Sequence, residues 1–196
     1  MTAGILLAAG LSRRMGRAKL LLPLEGRPVV RHAAEGLLAA GIDPLTAVVG
    51  PDGEAVAAAL ADLPVRIVVN PHPEAGQASS LVAGIAALPS GTEAVLVALG
   101  DQPFVPAEVI RGLIYALQAA DKVIAAPRYT DGLGNPVLFR AAVFAELLAL
   151  GGDRGARAVV ERDPGRVALI ELDRPMPEDV DTPDDYARLR AREEPV

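Results

Sequence analysis

Short apolar runs alternate along the chain with longer segments in which apolar residues recur at helical spacing. We predict strands for the short runs 4–9, 45–49, 65–69, 94–99 and 122–126. We predict helices for the periodic segments 28–40, 52–62, 78–88 and 106–119. Strands that are apolar throughout are typical of parallel strands buried on both faces. The pattern therefore predicts an α/β fold with a doubly wound, mostly parallel sheet.

The pattern changes after residue 126, where turn residues become frequent. The segment 128–139 holds two turn clusters and a short apolar run, which predicts an antiparallel excursion at the edge of the sheet. Helices near 141–149 and 154–162, a strand at 166–171 and a last helix from about residue 183 complete the prediction. Since no repeat, low-complexity stretch or linker divides the sequence, we expect one domain over residues 1–196.

The composition excludes several classes of function. The formal net charge is −6 and no basic run occurs, so we expect no nucleic-acid partner. No apolar run approaches the roughly 18–20 residues of a membrane span, and the N-terminal residues lack the basic start of a signal peptide. The chain has no cysteine, which removes disulfides and thiolate chemistry. We therefore expect a cytoplasmic protein that does not bind membranes.

A glycine-rich turn from Ala8 to Lys19 follows the first predicted strand, at the end of the sheet where open α/β folds bind ligands. Its glycines allow backbone N–H groups to approach a phosphate, and Ala8 and Ala9 leave room for a flat base or a sugar. The chain has two lysines against seventeen arginines, so Lys19 indicates a role for a compact ammonium. Neither the dinucleotide-binding glycine pattern nor the P-loop spacing is present, and a solvated basic loop is the alternative.

Two aspartates are candidate ligands for a metal ion. Asp101 directly follows the strand 94–99, where a carboxylate could hold Mg²⁺, although aspartate before Pro103 is also common in turns. Together with the glycine-rich turn, metal binding is the favoured interpretation for Asp101. Asp181 lies in the acidic segment before the last helix, and for that segment plain helix capping is an adequate explanation.

Three further elements carry polar groups that could bind a ligand. The segment 76–81 opens a helix with Gln77, Ser79 and Ser80, which could contact an anion or the edge of a base, or could simply cap the helix. The segment 134–139 reads as a turn into an edge strand. The segment 152–157 could bring Arg157 to a phosphate, or could be an ordinary surface helix start.

Together these elements resemble one family over nearly the whole chain. The pattern Leu7-Ala8-Ala9-Gly10-x-x-x-Arg14-Met15-Gly16-x-x-Lys19 is similar to the signature loop of the sugar-nucleotide and molybdenum-cofactor nucleotidyltransferases. The segment 181–185 resembles their Asp-Thr-Pro element. The segments 76–81, 134–139 and 152–157 resemble the molybdenum cofactor cytidylyltransferases, although Asn135 stands where many members have histidine. The resemblance implies a Rossmann-like nucleotidyltransferase fold.

The resemblance also implies roles for individual residues. The implied nucleotide-binding residues are Leu7, Ala8, Ala9, Gly10, Ser12, Gly16, Lys19, Gln77, Ser79 and Ser80. The implied catalytic residues are Lys19, Arg14 and Asp101, with Asp101 and Asp181 as ligands of Mg²⁺. The implied acceptor-binding residues are Asn135, Pro136 and Arg157.

The implied activity is transfer of CMP from CTP to molybdopterin, with release of pyrophosphate and with Mg²⁺ as cofactor. A client molybdoenzyme is a candidate partner. Three alternatives stay open: a guanylyltransferase that uses GTP, a cytidylyltransferase acting on a sugar or polyol phosphate, and a cofactor carrier without catalysis. A hydride-transferring oxidoreductase is disfavoured because the dinucleotide-binding fingerprint is missing.

Overall fold

The computed structural model describes residues 1–10, 18–51 and 53–191 of the chain. Three of the predicted site residues, Ser12, Arg14 and Gly16, lie outside the described residues. The described flanks of the glycine-rich turn end at Gly10 and begin again at Ala18.

Most strands of the described ranges form one twisted sheet. The strands are β1 (Thr2–Ala8), β2 (Pro23–Leu24), β3 (Arg27–Pro28), β4 (Leu45–Val49), β5 (Val65–Val69), β6 (Ala94–Leu99), β7 (Ile124–Tyr129), β8 (Gly132–Leu133), β9 (Val137–Arg140) and β10 (Val167–Glu171). The large sheet has the order β10-β7-β9-β6-β1-β4-β5, with β8 paired to β7. Strands β5, β4, β1 and β6 are mutually parallel, as are β7 and β10.

Helices cover both faces of this sheet. They are α1 (Val29–Ala39), α2 (Glu54–Ala59), α3 (Gln77–Ala86), α4 (Ala107–Ala119), α5 (Phe144–Leu148), α6 (Arg157–Arg162) and α7 (Pro183–Ala191). One core packs α1, α2 and α4 against the sheet, and a second core on the other face packs α3, α5 and α6. This arrangement confirms the predicted α/β class with a doubly wound, mostly parallel sheet.

The predicted antiparallel excursion exists, but its main strand lies inside the sheet rather than at its edge. Strand β9 pairs antiparallel with β6 on one side and with β7 on the other. Leu138 faces one core, whereas Val137 and Phe139 face the other, so both faces of β9 are buried. The prediction of an edge strand was wrong, because β9 is hydrogen-bonded to a neighbouring strand on each side. Which strands pair is decided by the tertiary fold, and a run of four residues does not indicate it.

A separate small unit joins the antiparallel hairpin β2–β3 to α7. Its buried apolar residues are Leu22, Leu24, Val29, Val180, Tyr186 and Leu189. The hydroxyl of Tyr186 also donates a hydrogen bond to the carbonyl of Pro23. The unit therefore fixes the chain just after Lys19 beside the chain just after Asp181.

Among the helices of the described ranges, none combines the length and the apolar character that crossing a membrane requires.

Candidate functional site

The central parallel strands end together at one edge of the sheet. Leu7 of β1 is in register with Leu99 of β6, and Ala8 is in register with Val49 of β4. The backbone N–H of Gly100 then donates a hydrogen bond of 2.9 Å to the carbonyl of Leu7. Residues that follow β1 and β6 are consequently neighbours, as the parallel sheet requires.

A cavity of about 420 Å³ opens at this edge. Its volume falls in the range of small-molecule sites. The lining residues are Leu7, Ala9, Gly10, Lys19, Leu20, Pro73, Gly76, Gln77, Ser80, Leu99, Asp101, Asp153 and Asp181. The cavity thus brings together residues that are far apart in the sequence: they lie at or after the ends of β1, β5 and β6, at the start of α3, or before α6 and α7.

An ammonium and two carboxylates meet in this cavity. The Nζ atom of Lys19 lies 2.5 Å from Oδ2 of Asp101 and 2.7 Å from Oδ1 of Asp181. Burial alone would lower the pKa of Lys19, but the charges and hydrogen bonds of Asp101 and Asp181 outweigh it and raise the pKa. Lys19 is therefore a permanent cation at neutral pH.

Different residues around Asp181 cap helix α7 and line the cavity. The side chain of Asp185 accepts hydrogen bonds from the backbone N–H and the hydroxyl of Thr182, while Thr182 Oγ1 accepts from the N–H of Asp185. These reciprocal bonds cap α7, and they hold the pKa of Asp185 below its usual range. Capping is thus performed by Thr182 and Asp185, so Asp181 is available to face the cavity.

A second pair of contacts ties the segment before α7 to the end of β6. The N–H of Val180 donates to the carbonyl of Asp101 at 2.9 Å, and Gln102 Nε2 donates to Asp179 Oδ1 at 2.5 Å. Gln102 is buried, and its Oε1 atom has no hydrogen-bond partner among the described residues. Desolvation and the charge of Asp101 raise the pKa of Asp179 to about 6, although water still reaches the residue. Three carboxylates are thus held close together.

The start of α3 forms the opposite wall of the cavity. Asn70 Nδ2 donates to the hydroxyl oxygens of Ser79 and Ser80, at 2.8 and 2.9 Å. The hydroxyl of Ser79 lies 2.8 Å from the carbonyl of Gly76 and can donate to it. These bonds tie the end of β5 to the first turn of α3. Ser80 lines the cavity, whereas Ser79 holds the turn in place behind it.

The loop between α5 and α6 closes that wall. The N–H of Ala78 donates to the carbonyl of Gly152 at 3.1 Å. Gly76 has a positive φ of 96°, and a Cβ atom there would lie 2.4 Å from the backbone of Gly152. The close approach requires glycine at this position, and it places Asp153 at the cavity.

Comparison with known proteins decides the family. A family model described as the MobA-like NTP transferase domain matches residues 4–167. The chain belongs to this family. It is a nucleotidyltransferase, which confirms the resemblance found in the sequence at that level.

Relatives of this nucleotidyltransferase carry varied names. It is 36% identical over 195 residues to the nicotine blue oxidoreductase of Paenarthrobacter nicotinovorans, with 95% of each chain covered. It is 28% identical over 197 residues to the purine catabolism protein PucB of Bacillus subtilis, again with 95% of each covered. The crystal structure of Rv0371c from Mycobacterium tuberculosis superposes with a TM-score of 0.88 at 36% identity, covering 97% of both chains. A manganese complex of Rv0371C gives a TM-score of 0.84 at 34% identity, covering 97% of this chain and 98% of the other.

The structure of the nucleotidyltransferase separates the predicted site residues into three groups. Those that line the cavity are Leu7, Ala9, Gly10, Lys19, Gln77, Ser80, Asp101 and Asp181. Ala8 and Ser79 support it, since Ala8 is buried in the core and Ser79 bonds within the α3 turn. Asn135, Pro136 and Arg157 are outside the lining.

The predicted acceptor residues take two different positions in the nucleotidyltransferase. Asn135 and Pro136 precede β9, which runs antiparallel to β6, so they lie at the same edge of the sheet as Asp101. The carbonyl of Asn135 accepts a hydrogen bond from the Tyr129 hydroxyl at 3.1 Å. Arg157 begins α6 and forms an exposed ion pair of 2.7 Å with Glu161, one helical turn away.

Sequence reasoning did not single out several residues that shape the nucleotidyltransferase site. Asp153 lies inside the segment 152–157, where Arg157 was the expected ligand because a phosphate acceptor was predicted. The Gln102–Asp179 contact joins positions 77 residues apart, and only the proximity of Gln102 to Asp101 hinted at a role. Pro73, which also lines the cavity, could have been found because it lies just before the segment 76–81.

Proposed function

We propose that this nucleotidyltransferase transfers CMP from CTP to the terminal phosphate of a molybdopterin-type acceptor and releases pyrophosphate. The observation that carries the proposal is the convergence of Lys19, Asp101 and Asp181 in a cavity beside the turn that begins at Gly10. We further propose that residues 1–196 act as one cytoplasmic domain. The choice of CTP and of the acceptor rests on the segments 76–81, 134–139 and 152–157.

The residues of the cavity fit Mg²⁺ as the cofactor. Within the described ranges, no group of three or more His, Cys, Asp or Glu side chains is arranged as a metal site. Magnesium does not need such a group, because it is usually held by one or two carboxylates together with substrate phosphates. Asp101 and Asp181, which already share one cation, would hold it. When bound, Mg²⁺ supplies positive charge that offsets the charge on the donor and acceptor phosphates.

The chain's own groups position the two substrates and stabilise developing charge. Lys19 and Arg14 bind phosphate oxygens and the leaving pyrophosphate, while the backbone near Gly10 cradles the triphosphate. An acceptor phosphate oxygen forms a bond to the α-phosphorus as the bond to the β-phosphate breaks. An ionised phosphate carries no proton that must be removed, so positioning replaces a general base.

In this proposal the acceptor binds at the same edge of the sheet, between Asp153 and the residues that precede β9. Asn135 and Pro136 lie at this edge, and Arg157 begins the helix that follows Asp153. In this proposal Asn135 and Pro136 contact the acceptor, and Arg157 meets its phosphate after exchanging its exposed pairing with Glu161.

An oxidoreductase is the second candidate function, and one observation favours it. The 36% identity to a protein named nicotine blue oxidoreductase extends over 95% of both chains. The glycine pattern of nicotinamide dinucleotide binding is absent from the first turn, which favours the transferase. Oxidation of NADH or NADPH by the purified protein in the presence of a quinone-like dye would support the second candidate instead.

The test is pyrophosphate release by the purified protein with Mg²⁺, molybdenum-loaded molybdopterin and CTP, GTP or ATP in parallel. We expect release with CTP. Release with GTP alone would overturn the choice of base and support a guanylyltransferase. If no pyrophosphate is released with any of the three nucleotides although the protein still binds them, molybdopterin is not the acceptor. Sugar or polyol phosphates would then be the next acceptors to assay.

Two variants locate the chemistry in the cavity. Asp101→Ala should abolish turnover with the fold intact, and Lys19→Ala should lower turnover at least about a hundredfold because it removes charge that stabilises the transition state. Lys122→Ala is the matched control, since Lys122 bonds to the carbonyl of Gly165 at the far edge of the sheet. Near-normal turnover of Asp101→Ala would contradict the assignment.

A further inference from the structure

The position between Asp101 and Asp181 is filled by a cation that belongs to the chain itself. Lys19 Nζ lies 2.5 and 2.7 Å from one oxygen of each carboxylate, which is direct ion pairing to both. Only 11% of the Lys19 side chain is exposed, compared with 20% for Asp101 and 40% for Asp181. The Lys19 side chain is therefore more enclosed than either carboxylate that it contacts.

This geometry conflicts with the demands of the proposed reaction. The reaction needs Asp101 and Asp181 as ligands of a divalent cation, and it needs Lys19 at the phosphates. Mg²⁺ binds oxygen at about 2.0–2.1 Å. A dication at that distance from the same carboxylate oxygens would compete with the ammonium for their lone pairs and would repel it. Lys19 and the metal cannot both occupy the space between the carboxylates.

We propose that Lys19 is the resident cation of the carboxylate pair in the nucleotide-free enzyme, and that a divalent cation replaces it when a triphosphate draws the ammonium away. The exchange rests on the proposed function, because it assumes that the carboxylates serve a divalent cation. In the nucleotide-free state Lys19 has a positioning role, since it keeps two like-charged side chains converged on one point.

The charges around the cavity explain why the exchange couples metal to nucleotide. The bonds from Gln102 to Asp179 and from Val180 to Asp101 keep these acidic residues close to Asp181, so moving Lys19 away without replacement increases the repulsion among them. A triphosphate offers Lys19 new negative partners, and the vacated carboxylates then gain a dication. Metal and nucleotide each promote binding of the other, as linkage requires.

The test measures metal binding and needs no turnover. Free Mn²⁺ is followed by electron paramagnetic resonance during titration of the nucleotide-free protein, for wild type, Lys19→Met and Lys122→Met. We expect Lys19→Met to bind Mn²⁺ at least about tenfold more tightly than wild type, because its carboxylates have lost the competing cation. Lys122→Met, which removes the same charge far from the cavity, should match wild type.

Equal or weaker Mn²⁺ binding by folded Lys19→Met would overturn the proposal. If Lys19→Met does not fold, Lys19→Gln and a wild-type measurement replace it. In wild type, Mn²⁺ should increase the rate at which an acetylating reagent modifies Lys19 relative to Lys122, measured by mass spectrometry. An unchanged ratio at saturating Mn²⁺ would also overturn the exchange. Neither readout uses CTP or molybdopterin, so failure of the transfer assay remains a separate result.

Discussion

At the scale of single residues, the same ion-pair chemistry serves two purposes in this protein. Lys19 is largely enclosed between carboxylates at the cavity, where its charge is available to a ligand. Arg166 instead faces Glu146 near the opposite edge of the sheet, with Nη1–Oε1 and Nη2–Oε2 distances of 2.6 and 2.9 Å. The second pair ties α5 to the turn before β10 and lies in partial contact with water. It is a structural contact and should respond to pH.

Glu146→Gln should lower the melting temperature at pH 7.5 but not in acid. The hydrogen bonds and charge of Arg166 hold the pKa of Glu146 below its ordinary value of 4.5. The pair therefore contributes stability above pH 4.5 that is lost as pH falls through the lower folded-state pKa. For a chain of this length we expect a decrease of roughly 2 °C at neutral pH.

Thermal unfolding of wild type and Glu146→Gln from pH 7.5 into acid well below pH 4.5, as far as both proteins stay folded, would measure this difference. Glu161→Gln is the control, because Glu161 forms a more exposed pair with Arg157 within one helix. A difference between wild type and Glu146→Gln that does not change with pH would contradict the argument.

At the scale of elements, the wall of the cavity depends on a close approach between the start of α3 and the loop before α6. The approach involves Gly76, whose positive φ and lack of a side chain let the carbonyl of Gly152 reach the N–H of Ala78. Asp153 is carried to the cavity by the same contact. The shape of the binding site is therefore set by the backbone of one residue in each element.

Gly76→Ala should destabilise the protein by at least about 2 kcal/mol, measured by urea unfolding. The new Cβ atom would lie 2.4 Å from the backbone of Gly152, in addition to the strain of a positive φ. Gly91→Ala is a matched control: Gly91 also has a positive φ, of 79°, but a Cβ atom there would meet nothing within 4 Å. We expect about 1 kcal/mol from Gly91→Ala, and equal losses would refute the steric argument.

Much of this element structure follows from the sequence, and the exceptions have physical causes. Strands β4, β5 and β6 match their predictions residue for residue because their mostly apolar runs are short and are bounded by turn residues. The meeting of Lys19 with Asp101 was expected because parallel strands end at one edge. The interior place of β9 and the contact between Gln102 and Asp179 depend on which distant segments pack together. Local pattern carries no information about that choice.

The acidic segment before α7 also shows what the sequence does not determine, in this case the role of each single carboxylate. From the residues alone, helix capping was an adequate explanation for its carboxylates, and the family resemblance added a metal role for Asp181 only. The structure assigns capping to Thr182 with Asp185 and leaves Asp181 at the cavity. Which carboxylate caps the helix and which faces the cavity depends on side-chain direction, which the sequence does not carry. The metal role of Asp181 stays a prediction.

At the scale of the whole molecule, a small apolar cluster outside the main sheet determines the site. The hairpin β2–β3 follows Lys19, α7 follows Asp181, and the cluster between them includes Leu24 and Leu189. The two charged partners are 162 residues apart in the chain, and this cluster brings them within hydrogen-bonding distance. Stability of the cluster and integrity of the site should therefore change together.

Leu189→Ala should lower both the melting temperature and the pyrophosphate-releasing activity. Leu189 is 1% exposed, so truncation leaves a cavity that costs about 3 kcal/mol, or roughly 6–12 °C in a chain of this size. Leu148→Ala makes the same truncation at a residue that is 44% exposed, and should change the melting temperature by less than about 2 °C. Full activity in a destabilised Leu189→Ala protein would show that the cluster does not hold Asp181 in place.

The backward course of β9 has a consequence for how such an enzyme can diversify. Because β9 runs against its neighbours, the connection from β7 returns as a hairpin whose tip, 130–136, projects at the functional edge. Hairpin tips accept insertions and exchanges more readily than crossover helices do. The tip can therefore be lengthened or replaced without disturbing the residues that line the cavity at the ends of β1 and β6.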